Sequence, residues 1–376
     1  MMSRNAKIKI MIILNVLFFL TGCNDIRILE DQAMIQTITY DLEKKNDDSK
    51  VEEINVSVSI PIAEEKGKQK IIHAKAGSSK EARLKLSSQT GWNLVNGQLR
   101  TILIGKSLAG LGVRTHLDAL ERDPSIGGRT KVAIVNGDAA AMLSTDYDKQ
   151  QGTYEYIDRL IEKEVQNNTF PGLSLYHFET DYYDDGVDPV APLLIKKKTY
   201  VGVDGIALFQ DDRYVTKIDS TRAIIFSLIH QELDDGHINF RWTGNKEADP
   251  EFVAFSNVKS SRKLNVKHDP KSKDFTVNIS VKVKGSILEY LGNKSIRENE
   301  NRAYIERKLE EYLEHDMERL VAFTQRHNVD SFGLGKAVRN SLDYEEWKSL
   351  NWRDVYPTVK VNCKATVEIR DYGLVK

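Results

Sequence analysis

The 376-residue chain carries 54 lysines and arginines against 55 aspartates and glutamates, a formal net charge of −1 at pH 7. That balance argues against nucleic acid as a partner, because a nucleic-acid footprint needs clustered basic residues and a high pI. With 40% hydrophobic residues and no low-complexity tract the chain reads as globular, and its length exceeds the roughly 250–300 residues one core usually supports, so two or three domains are expected.

At the N-terminus Arg4, Lys7 and Lys9 precede the apolar run from Ile10 to Leu20, interrupted only by Asn15. A bilayer span needs roughly 20 apolar residues, so this shorter run has the layout of a removable signal peptide. It ends in "LTGC", Leu20 to Cys23, which resembles the bacterial lipobox, in which the cysteine thiol is diacylated and becomes the first mature residue. Cys23 is the candidate lipid anchor and residues 1–22 the signal; two acyl chains, at ~0.8 kcal/mol per buried methylene, hold a protein on a membrane durably. Residues 1–22 contain three basic residues and no acid, so without them 51 basic residues face 55 acids and the remainder stands near −4.

"INVSVSIPI" alternates Ile54, Val56, Val58 and Ile60 with polar residues and predicts a strand ending at Pro61. "SSKEARLKLSSQ" opens on a serine cap and predicts a short helix; "QLRTILIG" predicts another strand. "DDGVDPVAPLLIKKKTYVG" combines Gly186, Pro189 and Pro192 with Lys196 to Lys198 and suits a linker. "DGIALFQDDRYVTKID" predicts a hairpin turning at Asp211 and Asp212, followed by a buried helix in "DSTRAIIFSLIHQEL" with Asp219 and Ser220 as capping candidates. A second weak boundary falls at 243–251.

In "DFTVNISVKVKG", Phe275, Val277, Ile279, Val281 and Val283 share one face of a strand. From about Arg297 to His327, Ile305, Leu309, Tyr312, Leu313, Met317 and Leu320 recur every three or four residues, which predicts a long amphipathic helix lying along a sheet. Last, Val359, Val361, Cys363, Ala365, Val367 and Ile369 alternate with polar residues, so Cys363 should point into a core as a small packed hydrophobe; with Cys23 acylated, no partner remains for an intrachain disulfide. The fold class expected is α+β: three domains, each a mixed or antiparallel sheet with packed helices, after a cleaved signal peptide. Their bounds are 23–195, 196–248 and 249–376, the last containing the long helix 297–327.

Sites for chemistry are sparse. Gly105-Lys106-Ser107 follows a strand, but a phosphate loop needs a glycine where Arg100 stands, so a plain strand-to-helix turn capped by Ser107 is expected. In "DYYDDGVDPVAP", Asp181, Asp185 and Gly186 match a calcium loop, whereas Tyr183 and Pro192 occupy ligand positions, so the stretch reads as a solvated linker. His315 and His327 lie about three turns apart on one helix, too far to share a metal, and no GxSxG occurs. Trp347 and Trp352, beside Tyr344 and Tyr356, read as core plugs in preference to interface anchors. No catalytic, cofactor or metal residue is therefore assigned, and the chain is not expected to be an enzyme.

The lipobox and "CNDIRILED", the block "LRTILIGKSLAGLGVRTHLDALERDPSI", the hairpin "GIALFQDDRYV" and the ending "VDSFGLGKAVRN...EEWKSLNWRDVYPTVKVNCKATVEIRDYGLV" follow one another in family order. Together they resemble the Ger(x)C family, the lipoprotein C subunits of nutrient germinant receptors in bacterial endospores. Two departures are Asn24, where many members carry tryptophan, and Thr39-Tyr40-Asp41, where Gly-Ile-Asp is common. The resemblance implies three domains attached through Cys23 to the outer face of the inner spore membrane. The implied partners are a polytopic A subunit and a transporter-like B subunit of the germinant receptor. The competing class is a lipid-anchored solute-binding protein serving a transporter, whose usual signature is two doubly wound lobes.

Overall fold

The computed structural model describes residues 31–43, 53–62, 65, 67–147, 151–172, 174–243, 250–269 and 274–371. Cys23 and the signal peptide lie outside the described residues, as does most of the weak boundary at 243–251.

The N-terminal part runs β1 (Gln32–Met34), β2 (Thr37–Leu42), β3 (Ile54–Pro61), β4 (Gln69–Ala76), α1 (Ser79–Ser87), β5 (Asn93–Val95), β6 (Thr101–Gly105), α2 (Lys106–Ala109), α3 (Arg114–Glu121), β7 (Lys131–Val135), α4 (Ala139–Leu143), α5 (Thr153–Gln166) and α6 (Leu175–Tyr183). It continues with β8 (Val190–Lys196), β9 (Val201–Gln210), β10 (Arg213–Asp219) and α7 (Ala223–His230). The C-terminal part comprises β11 (Ile238–Thr243), β12 (Pro250–Asp269), β13 (Asp274–Leu291), α8 (Asn299–Arg326), α9 (Leu334–Arg339), α10 (Tyr344–Ser349), α11 (Trp352–Val355) and β14 (Lys360–Asp371).

Three sheets result, and the class is α+β as expected. Eight strands order as β10-β9-β8-β7-β6-β2-β3-β4, four as β11-β12-β13-β14, and β1 pairs with β5. In the large sheet β2, β6, β7 and β8 run parallel, with antiparallel strands added at both ends. β6, β7 and β8 are buried on both faces, which is why they read as mostly apolar runs, whereas β2 alternates Ile38, Tyr40 and Leu42 with buried Thr37, Thr39 and Asp41. Successive residues feed two different cores: Ile102, Ile104, Ile134 and Leu193 pack with α1, α3 and α6, whereas Leu103, Ala133, Val135 and Leu194 pack with α4 and α5.

The apolar run from Val190 to Ile195, expected within a linker, is instead strand β8, because its side chains fill the cores on both sides of the sheet. The stretch 196–248, expected as a middle domain, supplies β9 and β10 to the large sheet and β11 to the four-stranded one, with α7 between them. A third core, spanning Phe226 of α7, Val281 of β13 and Leu313 of α8, also takes in Ile206 and Leu208 of the large sheet, so the two sheets share one apolar interior. The second sheet has antiparallel pairs β11-β12 and β12-β13 and one parallel pair, β13-β14, so it does not form the second doubly wound lobe of a solute-binding protein.

Helix α8 does more than cover the sheet. Glu306, Glu310 and Glu314 accept from the amides of Ile369, Val367 and Ala365 at 2.9, 3.0 and 3.0 Å. Four helical residues rise about 6 Å and two strand residues about 6.6 Å, so the two ladders stay in step. The carboxylates satisfy the outer edge of β14, which otherwise would be a template for pairing with another chain.

Candidate functional site

The acidic stretch after α6 meets the "VDSFGLG" and "NWRDVYP" segments in a polar junction with an open cavity of about 350 Å³, lined by Asp184, Asp188, Asp211, Asp330, Trp352 and Arg353 among others. Asp188 and Asp330 are both 1% exposed. The Asp188 amide donates to the Asp330 carbonyl at 2.9 Å, and the Asp330 amide donates back to Asp188 Oδ2 at 2.7 Å. Arg353 closes the arrangement from outside, its guanidinium donating to both Asp188 oxygens at 2.5 and 2.6 Å and to Asp211 at 2.7 Å. Bidentate geometry of this kind gives the strongest charge-assisted pairs.

Asp330 also accepts from the amides of Leu334 and Gly335 at 2.9 and 2.6 Å and from the Trp352 indole at 3.0 Å. It thereby fixes the start of α9 and the position of α11. Burial pushes its carboxyl up to about 7, against the pull of the Gly335 and Leu334 amides. Two backbones cross here in contact. A Cβ on Gly186, whose φ is +92°, would lie 2.5 Å from Gly335 C; one on Gly335 would strike the Trp352 indole. Only glycine at both positions admits this crossing.

Within the expected solvated linker, Asp184 and Asp188 are therefore engaged, whereas Asp185 stays largely exposed. Asp184 pairs with Lys336 at 2.6 Å and Arg339 at 2.5 Å, and Asp185 with Lys348 at 3.8 Å. Asp181 is pushed up to about 6 by burial. Pro192 stands in β8, not at the end of a cation loop. Among the described residues no group of three or more His, Cys, Asp or Glu side chains could hold a metal ion. What the junction does chemically is neutralise charge: cations from α9 and α11 cancel acids from the loop after α6, and hydrogen bonds between Asp188 and Asp330 join the N-terminal and C-terminal parts.

Gly105 has a different purpose from a phosphate loop. It is the cap residue of α2, with no side-chain cap bond, so Ser107 lies inside the helix and is not its cap. A Cβ at Gly105 would collide with the carboxylate of Asp41, which accepts from the Ala139 and Ala140 amides at 2.7 and 2.8 Å and so holds the first turn of α4. Asp219 and Ser220 likewise do not cap α7, which is entered through a 3₁₀ turn at Ser220–Arg222 without a side-chain cap bond. Trp347 and Trp352 are buried core plugs 5.9 Å apart, and Tyr356 is 1% exposed. Cys363 is a free buried thiol, pushed up to about 12 by burial.

A separate cavity of about 300 Å³ lies between α1, α3 and the first strands, with Ile38, Val56, Val58 and Leu86 as its apolar walls and Lys80 and Arg83 at its rim. Neither cavity was foreseen from the sequence, since each joins segments far apart in the chain.

Residues 25–196 match the family model described as the spore germination protein N-terminal domain, and residues 204–373 the model described as the spore germination B3/GerAC-like C-terminal domain. The chain is 25% identical over 356 residues to the spore germination protein GerQC of Bacillus cereus, covering 95% of this chain and 96% of that one. To the putative spore germination protein YfkR of Bacillus subtilis (strain 168) it is 23% identical over 391 residues, covering 96% and 95%. The crystal structure of the GerBC protein superposes with a TM-score of 0.58 at 16% identity, covering 89% of this chain and 97% of that one, and shares the fold.

Proposed function

Because the chain belongs to the Ger(x)C family of spore germination proteins, the C subunits of germinant receptors, we propose that it works as a lipid-anchored subunit of a nutrient receptor. In this reading Cys23 carries the lipid on the outer face of the inner spore membrane, and the folded body assembles with the A and B membrane subunits. The observation that carries it is the near-complete match of the chain to the two family domains, beginning two residues after Cys23. Nine Cα steps separate Cys23 from Gln32. They span at most roughly 32 Å, which confines the fold to the membrane's vicinity and raises its effective concentration for membrane partners.

The protein then acts by association and catalyses nothing. Deleting the protein should abolish germination with the nutrients its receptor serves and leave a receptor-independent germinant effective. Loss of both responses, or unchanged nutrient germination in a strain lacking related receptors, overturns the assignment. C23A should accumulate as an uncleaved precursor without diacylglycerol; full membrane retention and a normal nutrient response in that variant would refute the anchor.

A further inference from the structure

One face of the four-stranded sheet packs on α8, and the other lies open among the described residues. Because opposite residues in register share a face, the pairings of β12, β13 and β14 lay out the open side row by row. The rows are Lys259–Lys284–Glu368, Ser261–Lys282–Thr366, Lys263–Ser280–Lys364, Asn265–Asn278–Asn362 and Lys267–Thr276–Lys360. Seven of these fifteen residues are lysine and one is acidic, a net charge of +6, or +4 with the exposed Asp269–Asp274 pair that ends the same face at the hairpin, on a chain whose part beyond residue 22 totals −4. The β12 positions are all exposed, as are four of the five on β14. Glu368 pairs with Lys284 at 2.8 Å and Lys282 at 3.3 Å, and Lys364 meets Glu314 at the sheet edge at 3.1 Å.

An open sheet face needs polar residues for solubility, but interspersed charges of both signs serve that need. Here one sign is collected on a surface roughly 10 Å wide and 27 Å long, from strand spacings of about 4.8 Å and rises of about 6.7 Å per two residues. The residues between the lysines are serine, threonine and asparagine, too small to shield them. None of the fifteen is an arginine or an aromatic residue, the groups that fork onto phosphates or stack on bases. The face is a flat pleated surface of flexible point charges and not a pocket.

We propose that this lysine-studded sheet face docks on the anionic headgroup plane of a lipid bilayer, orienting the fold on the membrane. Charge complementarity carries the assignment: lysines near an anionic leaflet each contribute about a fivefold gain in partitioning, and long ammonium side chains reach a diffuse plane of phosphates without requiring any one geometry. The orientation places α8 and the polar junction away from the bilayer, where other proteins can reach them.

The test uses the chain from Asn24 to Lys376, which keeps every described element and lacks Cys23 and the apolar segment, so that failure of the acylation reading leaves the outcome interpretable. Vesicles of phosphatidylcholine alone are compared by flotation with vesicles also containing phosphatidylglycerol. Binding is expected only to the second kind, with loss at high salt. The variant K263Q/K267Q/K282Q/K364Q should lose on the order of 10²–10³-fold in partitioning with an unchanged melting curve, and the same four positions as arginine should retain it. The off-face control K163Q/K197Q/K198Q/K308Q, at exposed or half-exposed lysines outside both cavities, removes equal charge and should bind nearly as the parent does. Equal loss in the face variant and the control, equal binding to both vesicle types, or binding of polyglutamate in solution without binding to anionic vesicles overturns the proposal.

Discussion

Replacing Arg353 with alanine tests whether the polar junction holds the two sheets together. The Asp188 side chain is 2% exposed and Arg353 30%, so the substitution leaves an almost fully buried carboxylate without its cation. Breaking a buried pair from one side costs about 3–5 kcal/mol. Two amides, of Asp330 and Asp211, still donate to Asp188 at 2.7 and 3.1 Å, and water gains entry from the side Arg353 vacates, which argues for the lower end, about 3 kcal/mol. Urea unfolding followed by tryptophan fluorescence suits the measurement, because the Trp352 indole donates to Asp330 and reports on the junction directly. D188N should be destabilising alone, and D188N/R353A should cost less than the sum of the single variants by roughly 1.5–3 kcal/mol, since the second change removes the charge that the first strands. A cost for R353A below about 1 kcal/mol, or strict additivity in the cycle, would refute the reasoning.

G335A should destabilise by about 1–3 kcal/mol and blue-shift or quench Trp352 emission differently from the parent, because the added Cβ meets the indole and Gly186; unchanged emission and midpoint would contradict the close crossing. E310Q should cost about 1 kcal/mol, whereas E306A/E310A/E314A should free the β14 edge and produce concentration-dependent self-association in light scattering; a monomeric triple variant would show that the edge is protected by other means. The Cys363 thiol should label slowly in the native protein and fast after denaturation, and rapid native labelling would place that strand face outward. For pH, the folded value of Asp330 is raised from 3.8 to about 7, so the stability contributed by its protonation is present below pH 4 and lost as pH rises through about 7. Urea midpoints between pH 4 and 8 should fall less steeply in D330N than in the parent, and identical slopes would mean that Asp330 does not titrate in this range.

Elements whose signal is local were legible in the sequence. The alternation from Phe275 to Val283 and from Val359 to Ile369, and the three-four spacing from Ile305 to Leu320, depend on side-chain direction along a single strand or helix, and all three appear where expected. The co-linear blocks were enough to reach the family. Tertiary structure alone decided the rest. Aspartates 184 and 188 read as solvated because the cations that neutralise them, Lys336, Arg339 and Arg353, are separated from them by some 150 residues or more. Val190 to Ile195 reads as a connection until β7 and β9 are placed on either side of it. Gly105 resembles a phosphate-loop glycine until the carboxylate of Asp41 occupies the space its side chain would need. The basic sheet face is hidden by a whole-chain charge near zero, because charge adds along the sequence regardless of position, while a surface field depends on which residues the strand register places side by side.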